Sequence, residues 1–514
     1  MEVLRSVSKH LARTAVVADG KSYRYKDILG RAQQTAETVR AFLSSNTNGT
    51  RGSPVGPCFA IMAPPGPQYV AATWASWLTG GVAVPLCLTH PAGELQYVLE
   101  DAKVSAVLTT HEHVATVTPL ADKAGAKVLR IAESSQDAHE AQDLSSGLKP
   151  EQGALVVYTS GTTGRPKGAL HTHSSLGAQI HALVTSWEWQ PEDQILHCLP
   201  LHHVHGIINA LYCAHAVGAT VEFQPKFSPK AVWTALTRED DPVTVFMGVP
   251  TMYSHLLSFY DDMRSEDQEV ARRATQRLRL TVSGSAACPL PIMQRWHALS
   301  GQWLLERYGM TETNMILSNP YSGERRAGFV GLPLPDVQVK AVPEDRAEAS
   351  HDSGSQSETG ELCVKGPNVF KEYLNKPEAT AKAFDSEGWF RTGDIASLEG
   401  DPPYWRIVGR ASVDIIKSRG YKISAPQIED VILAHPGIAE CAVMGAPDEA
   451  LGEAVAAVIA CKSKQVSLEE LREWLAGKLP EYQLPSRMEV VENIPRNAMG
   501  KVNKKQLRKD FFGA

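Results

Sequence analysis

No two of the eight cysteines (Cys58, Cys87, Cys198, Cys213, Cys288, Cys363, Cys441 and Cys461) form a C-x-x-C pair, and most sit in apolar stretches such as Leu86-Cys87-Leu88. They read as reduced, buried thiols of a reducing compartment, neither a disulfide frame nor a zinc site. Long apolar runs are missing too: none approaches the roughly 18 residues needed to span a bilayer. Basic charge is not in excess. The 51 lysines and arginines are outnumbered by 57 aspartates and glutamates, for a net charge of −6, so neither nucleic acid nor an anionic membrane is the main partner. Polar low-complexity sequence is confined to 345–360 (DRAEASHDSGSQSETG), which reads as a solvated surface loop. With 43% hydrophobic and 21% charged residues, the composition is that of a globular protein and excludes a disordered, collagenous or coiled-coil chain.

At roughly 150 residues per domain, 514 residues make about three units, or one large domain and a small one. Short apolar, β-branched runs at 104–109, 154–159, 243–247 and 278–282 fit buried parallel strands. Helical patterns such as 67–78 and 94–101 alternate with them, which predicts a layered α/β body without internal repeats. After Gly409-Arg410 the texture becomes compact α+β, with helices expected at 427–433 and 468–478 and strands at 438–444 and 454–460. The expected organisation is a large α/β domain over 1–408 and a small α+β domain over 409–514. The N-terminal MEVLRSVSKHLART lacks the apolar core of a secretory signal. It reads as the first helix of the fold, favoured by strand-like Thr14-Ala15-Val16-Val17 directly after it, or as the tail of a mitochondrial presequence.

The sharpest local signal is Tyr158-Thr-Ser-Gly-Thr-Thr-Gly-Arg-Pro-Lys-Gly168, directly after a predicted strand. Its glycines allow close backbone approach to an anion, while four hydroxyls and Lys167 add donors and a charge, a chemistry suited to polyphosphate. The pattern is not G-x-x-x-x-G-K-[ST], and Pro166 prevents the helix start that motif requires.

This loop resembles the signature of the adenylate-forming superfamily, which includes acyl-CoA synthetases, luciferases and peptide-synthetase adenylation domains. Further motifs follow in the family's order: Pro200-Leu-His-His-Val-His-Gly206, Gly248-Val-Pro-Thr-Met-Tyr253, Val282-Ser-Gly-Ser-Ala286, Glu306-Arg-Tyr-Gly-Met-Thr-Glu312, Gly388-Trp-Phe-Arg-Thr-Gly-Asp394, Gly409-Arg410 and Ile494-Pro-Arg-Asn-Ala-Met-Gly-Lys501. The resemblance covers essentially the whole chain. It implies an enzyme that forms an acyl-adenylate from a carboxylate and ATP with Mg²⁺, then passes the acyl group to a thiol, here coenzyme A.

The resemblance also implies roles for single residues. Thr159, Ser160, Gly161, Thr162, Thr163, Gly164, Arg165, Pro166 and Lys167 would hold the phosphates. Glu312 would hold Mg²⁺ and Thr311 would contact the α-phosphate. Gly284, Ser285 and Ala286 would lie against adenine beside Tyr308, with Asp394 and Arg410 on the ribose hydroxyls. Lys501 would approach the α-phosphate and the acyl carboxylate. Asp414 resembles the hinge acid, but stands one residue later than the commonest spacing, so Val413 is its alternative. Gly420 and Tyr421 resemble the small-domain loop that serves the CoA step.

For the acid, Glu306-Arg-Tyr-Gly-Met-Thr-Glu with Asn319-Pro320, Leu-Pro-Leu-His-His-Val-His-Gly, Ser412-Val-Asp-Ile-Ile-Lys417 and Trp74-Ala-Ser-Trp-Leu-Thr-Gly-Gly-Val-Ala-Val-Pro-Leu86 together resemble the malonyl-CoA synthetases, the eukaryotic type most closely. That implies malonate as substrate, with methylmalonate as a further candidate. A dicarboxylate needs a cation for its second carboxylate, and the planar guanidinium suits it best. Arg279, Arg307 or both are the candidates, with Met315 and the catalytic candidate His205 shaping the pocket. The alternatives are a short- or medium-chain monocarboxylate ligase, which needs an apolar pocket, and an acyl-adenylating enzyme for a carrier protein. The family contains monomers and dimers, and malonyl-CoA synthetases of this type resemble both cytosolic and mitochondrial proteins.

Overall fold

The computed structural model of the chain describes residues 2–45, 55–134, 144, 147–159, 165–343, 358–418, 421–448, 451–462, 464–496 and 502–513. Among these residues there are four sheets. The largest has nine strands. Its parallel centre runs Leu305–Met310, Leu280–Ser283, Val245–Gly248, Gln194–His197, Thr220–Phe223 and Thr14–Ala18. The second has seven strands, with Gly153–Thr159, Val82–Pro85, Cys58–Met62, Ala106–Thr109 and Lys127–Arg130 in parallel. Ligand sites of such sheets lie at the carboxyl ends of the strands.

The β-branched runs predicted as strands are strands: those at 104–109, 243–247 and 278–282 start two residues later, at Ala106, Val245 and Leu280, and that at 154–159 starts one earlier, at Gly153. The run predicted at 278–282 begins at Leu280 because the amides of Arg279 and Leu280 both donate to the Thr244 carbonyl. The helix predicted at 67–78 is Pro67–Leu78, with proline in its first turn, where the missing N–H costs nothing. Its Trp74 and Trp77 are fully buried, and Trp77 Nε1 donates to the Ala154 carbonyl at 2.8 Å, tying the helix to the second sheet. At the N-terminus Glu2–Val7 is a helix whose Val3, Leu4 and Val7 are completely buried, so this segment is part of the core.

A third, antiparallel sheet (Gln338–Val342, Glu358–Lys365, Phe390–Glu399, Tyr404–Arg410) precedes the small α+β unit. Its pairing of Asp394 with Arg410 carries the sheet two residues past the break expected after 408. The fourth sheet starts at Ile415 and contains the long pair Ile438–Asp448 and Gly452–Cys461. Helix Leu468–Leu475 stops short of the predicted 478, because Ala476 is extended and Gly477 takes φ 75°. Residues 345–357 of the polar stretch lie outside the described residues.

All eight cysteines are free thiols. Burial pushes Cys58 and Cys198 up to about 12. At Cys87 burial acts the same way, but His202, His90 and Thr89 outweigh it and hold the thiol down to about 5. Among the described residues no helix is long and apolar enough to cross a membrane.

Candidate active site

Two neighbouring parallel strands build the centre of the site. In Leu280–Ser283 and Leu305–Met310 the register pairs Ser283 with Glu306, which brings the chain after Ser283 alongside Arg307. Gly284 makes that approach possible, since a Cβ there would collide with the Arg307 guanidinium. Arg307 is 5% exposed, and its Nε and Nη2 are buried with no hydrogen-bond acceptor among the described residues. Burial pushes its pKa down to about 9. An unpaired buried guanidinium is costly, and the cost is removed by an anion.

His205 opens a π-helical segment, His205–Tyr212, a geometry frequent at functional sites. Its Nδ1 lies 3.2 Å from Ser285 Oγ, while Nε2 is buried without a hydrogen-bond partner among the described residues. Burial and then the Arg307 charge push His205 well below its ordinary value, so the ring is neutral. Ser285 itself sits at φ 69°, a left-handed conformation that costs a non-glycine residue about 1 kcal/mol or more. Ala286 follows it, exposed.

A second group gathers around Asp394. Arg410 Nε donates to its Oδ1 at 2.7 Å and Nη2 to Oδ2 at 3.1 Å. The Tyr308 hydroxyl also donates to Oδ2. Asp394 thus has acceptor capacity left on Oδ1 for a ligand hydroxyl. Burial works against the Arg410 charge, but Asp394 outweighs it and raises its pKa, with smaller contributions from Tyr308 and Glu312.

Glu312 is buried, and its Oε1 accepts a hydrogen bond from the Tyr373 hydroxyl at 2.7 Å. Oε2 accepts none from the described residues, so a carboxylate oxygen is available to a hard cation such as Mg²⁺. Lys167 Nζ lies 4.1 Å from the centre of the same Tyr373 ring. Thr311 is anchored through its carbonyl, which accepts from His171 Nε2 at 2.8 Å. Asn368 supports the turn, its Nδ2 donating to the carbonyls of Thr313 and Met315 at 2.7 and 3.2 Å. Sequence reasoning overlooked Tyr373 and Asn368, which lie some sixty residues beyond the motif they support and carry no motif of their own.

Thr159 pairs with Lys167 across an antiparallel hairpin, so the glycine-rich segment joins two strands rather than a strand and a helix. Ser160, Gly161, Thr162, Thr163 and Gly164 lie outside the described residues. Beyond them Arg165 stacks on Tyr97 at 5.4 Å, and the Pro166 carbonyl accepts from the Tyr97 hydroxyl at 2.7 Å. Lys501 and Gly420 also lie outside the described residues.

Arg279 requires a correction. It precedes its strand and so stands at the amino end of the sheet, away from the end that carries Gly284 and Ser285. Its Nε donates to Asp193 Oδ1 at 2.6 Å, its Nη2 to Oδ2, and its Nη1 to the Trp187 carbonyl. Its charge is neutralised there, and it is no candidate for the substrate. Met315 is buried, with its backbone opposite Gly309 in the strand Asn314–Ser318. Asp414 accepts from the Arg410 amide at 3.0 Å and from Lys504 Nζ at 2.6 Å. Tyr421 is 53% exposed and stacks on Tyr482 rather than on the gathered groups.

Comparison with known proteins shows the family. Residues 3–374 match the model of the AMP-binding enzyme family, and residues 427–501 match the AMP-binding enzyme C-terminal domain. The mitochondrial malonate–CoA ligase ACSF3 of Mus musculus is 47% identical over 87% of this chain and 80% of its own length. The malonate–CoA ligase of Arabidopsis thaliana is 42% identical over 99% of this chain and 89% of its own. Among solved structures, ATP-bound MatB from Rhodopseudomonas palustris superposes with a TM-score of 0.85 at 31% identity, over 99% of this chain and 98% of that one. A malonyl-CoA ligase with methylmalonyl-CoA and AMP bound gives a TM-score of 0.66 at 35% identity, over 95% and 97%. The chain therefore belongs to the AMP-binding enzyme family.

Proposed function

We propose that this enzyme joins malonate to coenzyme A. Malonate and ATP give malonyl-adenylate and pyrophosphate, and the thiol of CoA then displaces AMP to give malonyl-CoA. The observation that carries the choice of acid is the Arg307 guanidinium, buried with two donor nitrogens unpaired among the described residues. A distal carboxylate supplies the missing acceptors and the missing charge in one group. A monocarboxylate leaves both deficits in place, so selectivity comes from rejection of the wrong acid. Neutral His205 beside the guanidinium adds no competing positive charge. The malonate–CoA ligases of mouse and Arabidopsis support the same reading by their similarity.

Glu312, held by Tyr373, would carry Mg²⁺, which neutralises phosphate charge when bound. Arg165 and Lys167 bring positive charge to the end of the glycine-rich segment, and Asp394, held by Arg410, presents acceptors for the ribose hydroxyls. Lys501 is assigned to the α-phosphate on its motif alone. The better superposition on the ATP-bound relative supports reading this arrangement as the one that forms the adenylate. The reaction is placed in a reducing compartment, the cytosol or the mitochondrial matrix.

A panel of malonate, methylmalonate, acetate, propionate and octanoate, each with ATP, Mg²⁺ and CoA, tests the proposal through AMP release. Malonate is expected to be the best substrate. Acetate or octanoate exceeding it would overturn the choice of acid.

A further inference from the structure

Outside the nucleotide and acyl groups, one cluster among the described residues brings metal-binding side chains together. The segment Cys87-Leu-Thr-His90 leaves the carboxyl end of strand Val82–Pro85 and turns back on itself, with the His90 amide donating to the Cys87 carbonyl at 3.3 Å. Such a turn brings its first and fourth residues close together. The third member comes from a distant part of the chain: His202, in the loop after strand Gln194–His197, whose ring centre is 5.6 Å from that of His90. One ligand atom from each of Cys87, His90 and His202 lies within 4.8 Å of the others. The residues are buried or half-buried, which shields the donors from bulk water.

The cysteines read from sequence as excluding a zinc site because no two share a chelating spacing. Cys-x-x-His with a remote histidine is an equally usable ligand set and needs no cysteine pair.

We propose that Cys87, His90 and His202 bind a borderline-soft divalent cation of the Zn²⁺ class, through one sulfur and two imidazole nitrogens. Sulfur with nitrogen selects Zn²⁺ over Mg²⁺, which takes oxygen. Tetrahedral Zn²⁺ holds such ligands at about 2.0–2.3 Å, so a short inward movement of the three side chains completes the site. Three protein donors leave a fourth position for water or an external ligand. The support expected behind a metal-binding histidine is present as well: His90 Nδ1 lies 3.2 Å from Glu94 Oε2, which leaves Nε2 for the metal. The cation takes Cys87 as the thiolate and both imidazoles as neutral bases, and any proton these groups hold passes to solvent. The cation would link the loop after Val82–Pro85 to the segment that continues into His205. The site uses none of the groups assigned to ATP or to the acid, so it stands whether or not malonate is the substrate.

The test is titration of the reduced, chelator-treated full-length enzyme with Co²⁺, without nucleotide or Mg²⁺. The expected result is one equivalent bound, with a thiolate-to-cobalt charge-transfer band and the intense ligand-field bands of tetrahedral cobalt, all abolished by Zn²⁺. Cys87→Ser should remove the charge-transfer band, and His90→Ala should weaken binding at least about tenfold. As a readout independent of any variant, Zn²⁺ should slow alkylation of Cys87, followed by peptide mass spectrometry, at least tenfold. Absence of a thiolate band in the wild type, its survival in Cys87→Ser, or alkylation of Cys87 unaffected by Zn²⁺ would overturn the site.

Discussion

Gly284 and Arg307 face each other across two adjacent parallel strands, and the guanidinium fills the space where any side chain at 284 would begin. The glycine matters here for close approach and not for an unusual backbone angle. Gly284→Ala should therefore push against Arg307 and cost about 1–3 kcal/mol in stability. It should also lower malonate kcat/KM more than it weakens ATP binding, measured by isothermal titration. Equal losses would mean that Arg307 does not serve the acid.

Tyr373→Phe removes one hydroxyl, the one that donates to Glu312. The ring that faces Lys167 remains. The Mg²⁺ concentration for half-maximal adenylation should rise about 10- to 100-fold, the usual effect of losing a group that orients a metal ligand. The melting temperature should stay close to that of the wild type. An unchanged Mg²⁺ requirement would separate Tyr373 from the metal.

How much of this was legible in the sequence depends on which physical signal each part leaves. Buried parallel strands declare themselves as β-branched runs, and Pro67 announces its helix. Arg279 and Arg307 are both candidates from sequence because each sits at a pocket-forming motif, before Leu280–Ala286 and inside Glu306-Arg-Tyr-Gly. What separates them is strand direction: Arg279 precedes its strand, whereas Arg307 lies within the next one, near the end where ligands bind. The partner that neutralises Arg279, Asp193, is 86 residues away and has no periodicity or motif to mark it. Tyr373 is hidden in the same way, since a contact between remote segments leaves no local pattern. The motif assignments of Glu312, Asp394 and Arg410 rested on resemblance, and only three-dimensional contacts such as Tyr308 on Asp394 give them physical content.

Lys504 is half-buried between two acids, 2.6 Å from Asp414 and 2.7 Å from Glu429. Burial opposes its charge, but Glu429 and Asp414 outweigh it and raise its pKa. Lys504→Met should leave two carboxylates uncompensated and destabilise the small unit by about 3–5 kcal/mol. Hydrogen exchange should rise in the strands Ile438–Asp448 and Gly452–Cys461, while protection in the strand Gly153–Thr159 stays unchanged. Unchanged exchange in the small unit would contradict the role of the triad.

Burial pushes the Glu306 carboxyl up from 4.5 to about 7, against amide donation from Gly328 and Cys288. Below the unfolded pKa both states are protonated and the neutral form's advantage is fully present. As pH rises through the folded pKa that advantage is lost. Between about pH 4.5 and pH 7 this residue alone should lower stability by up to about 3 kcal/mol. The difference between wild type and Glu306→Gln in urea midpoint should therefore shift in favour of the variant across that window. A pH-independent difference would contradict a protonated Glu306.

The most direct measurement is the steady-state kinetics of Arg307→Met with malonate and with propionate, ATP being varied in parallel. Truncating one side of a buried charge pair costs about 2–5 kcal/mol. Malonate kcat/KM should thus fall about 10²- to 10³-fold, while the KM for ATP stays within about threefold and propionate use holds or rises. Equal loss for malonate and propionate, or a malonate rate that survives the substitution, would contradict a guanidinium that receives the distal carboxylate.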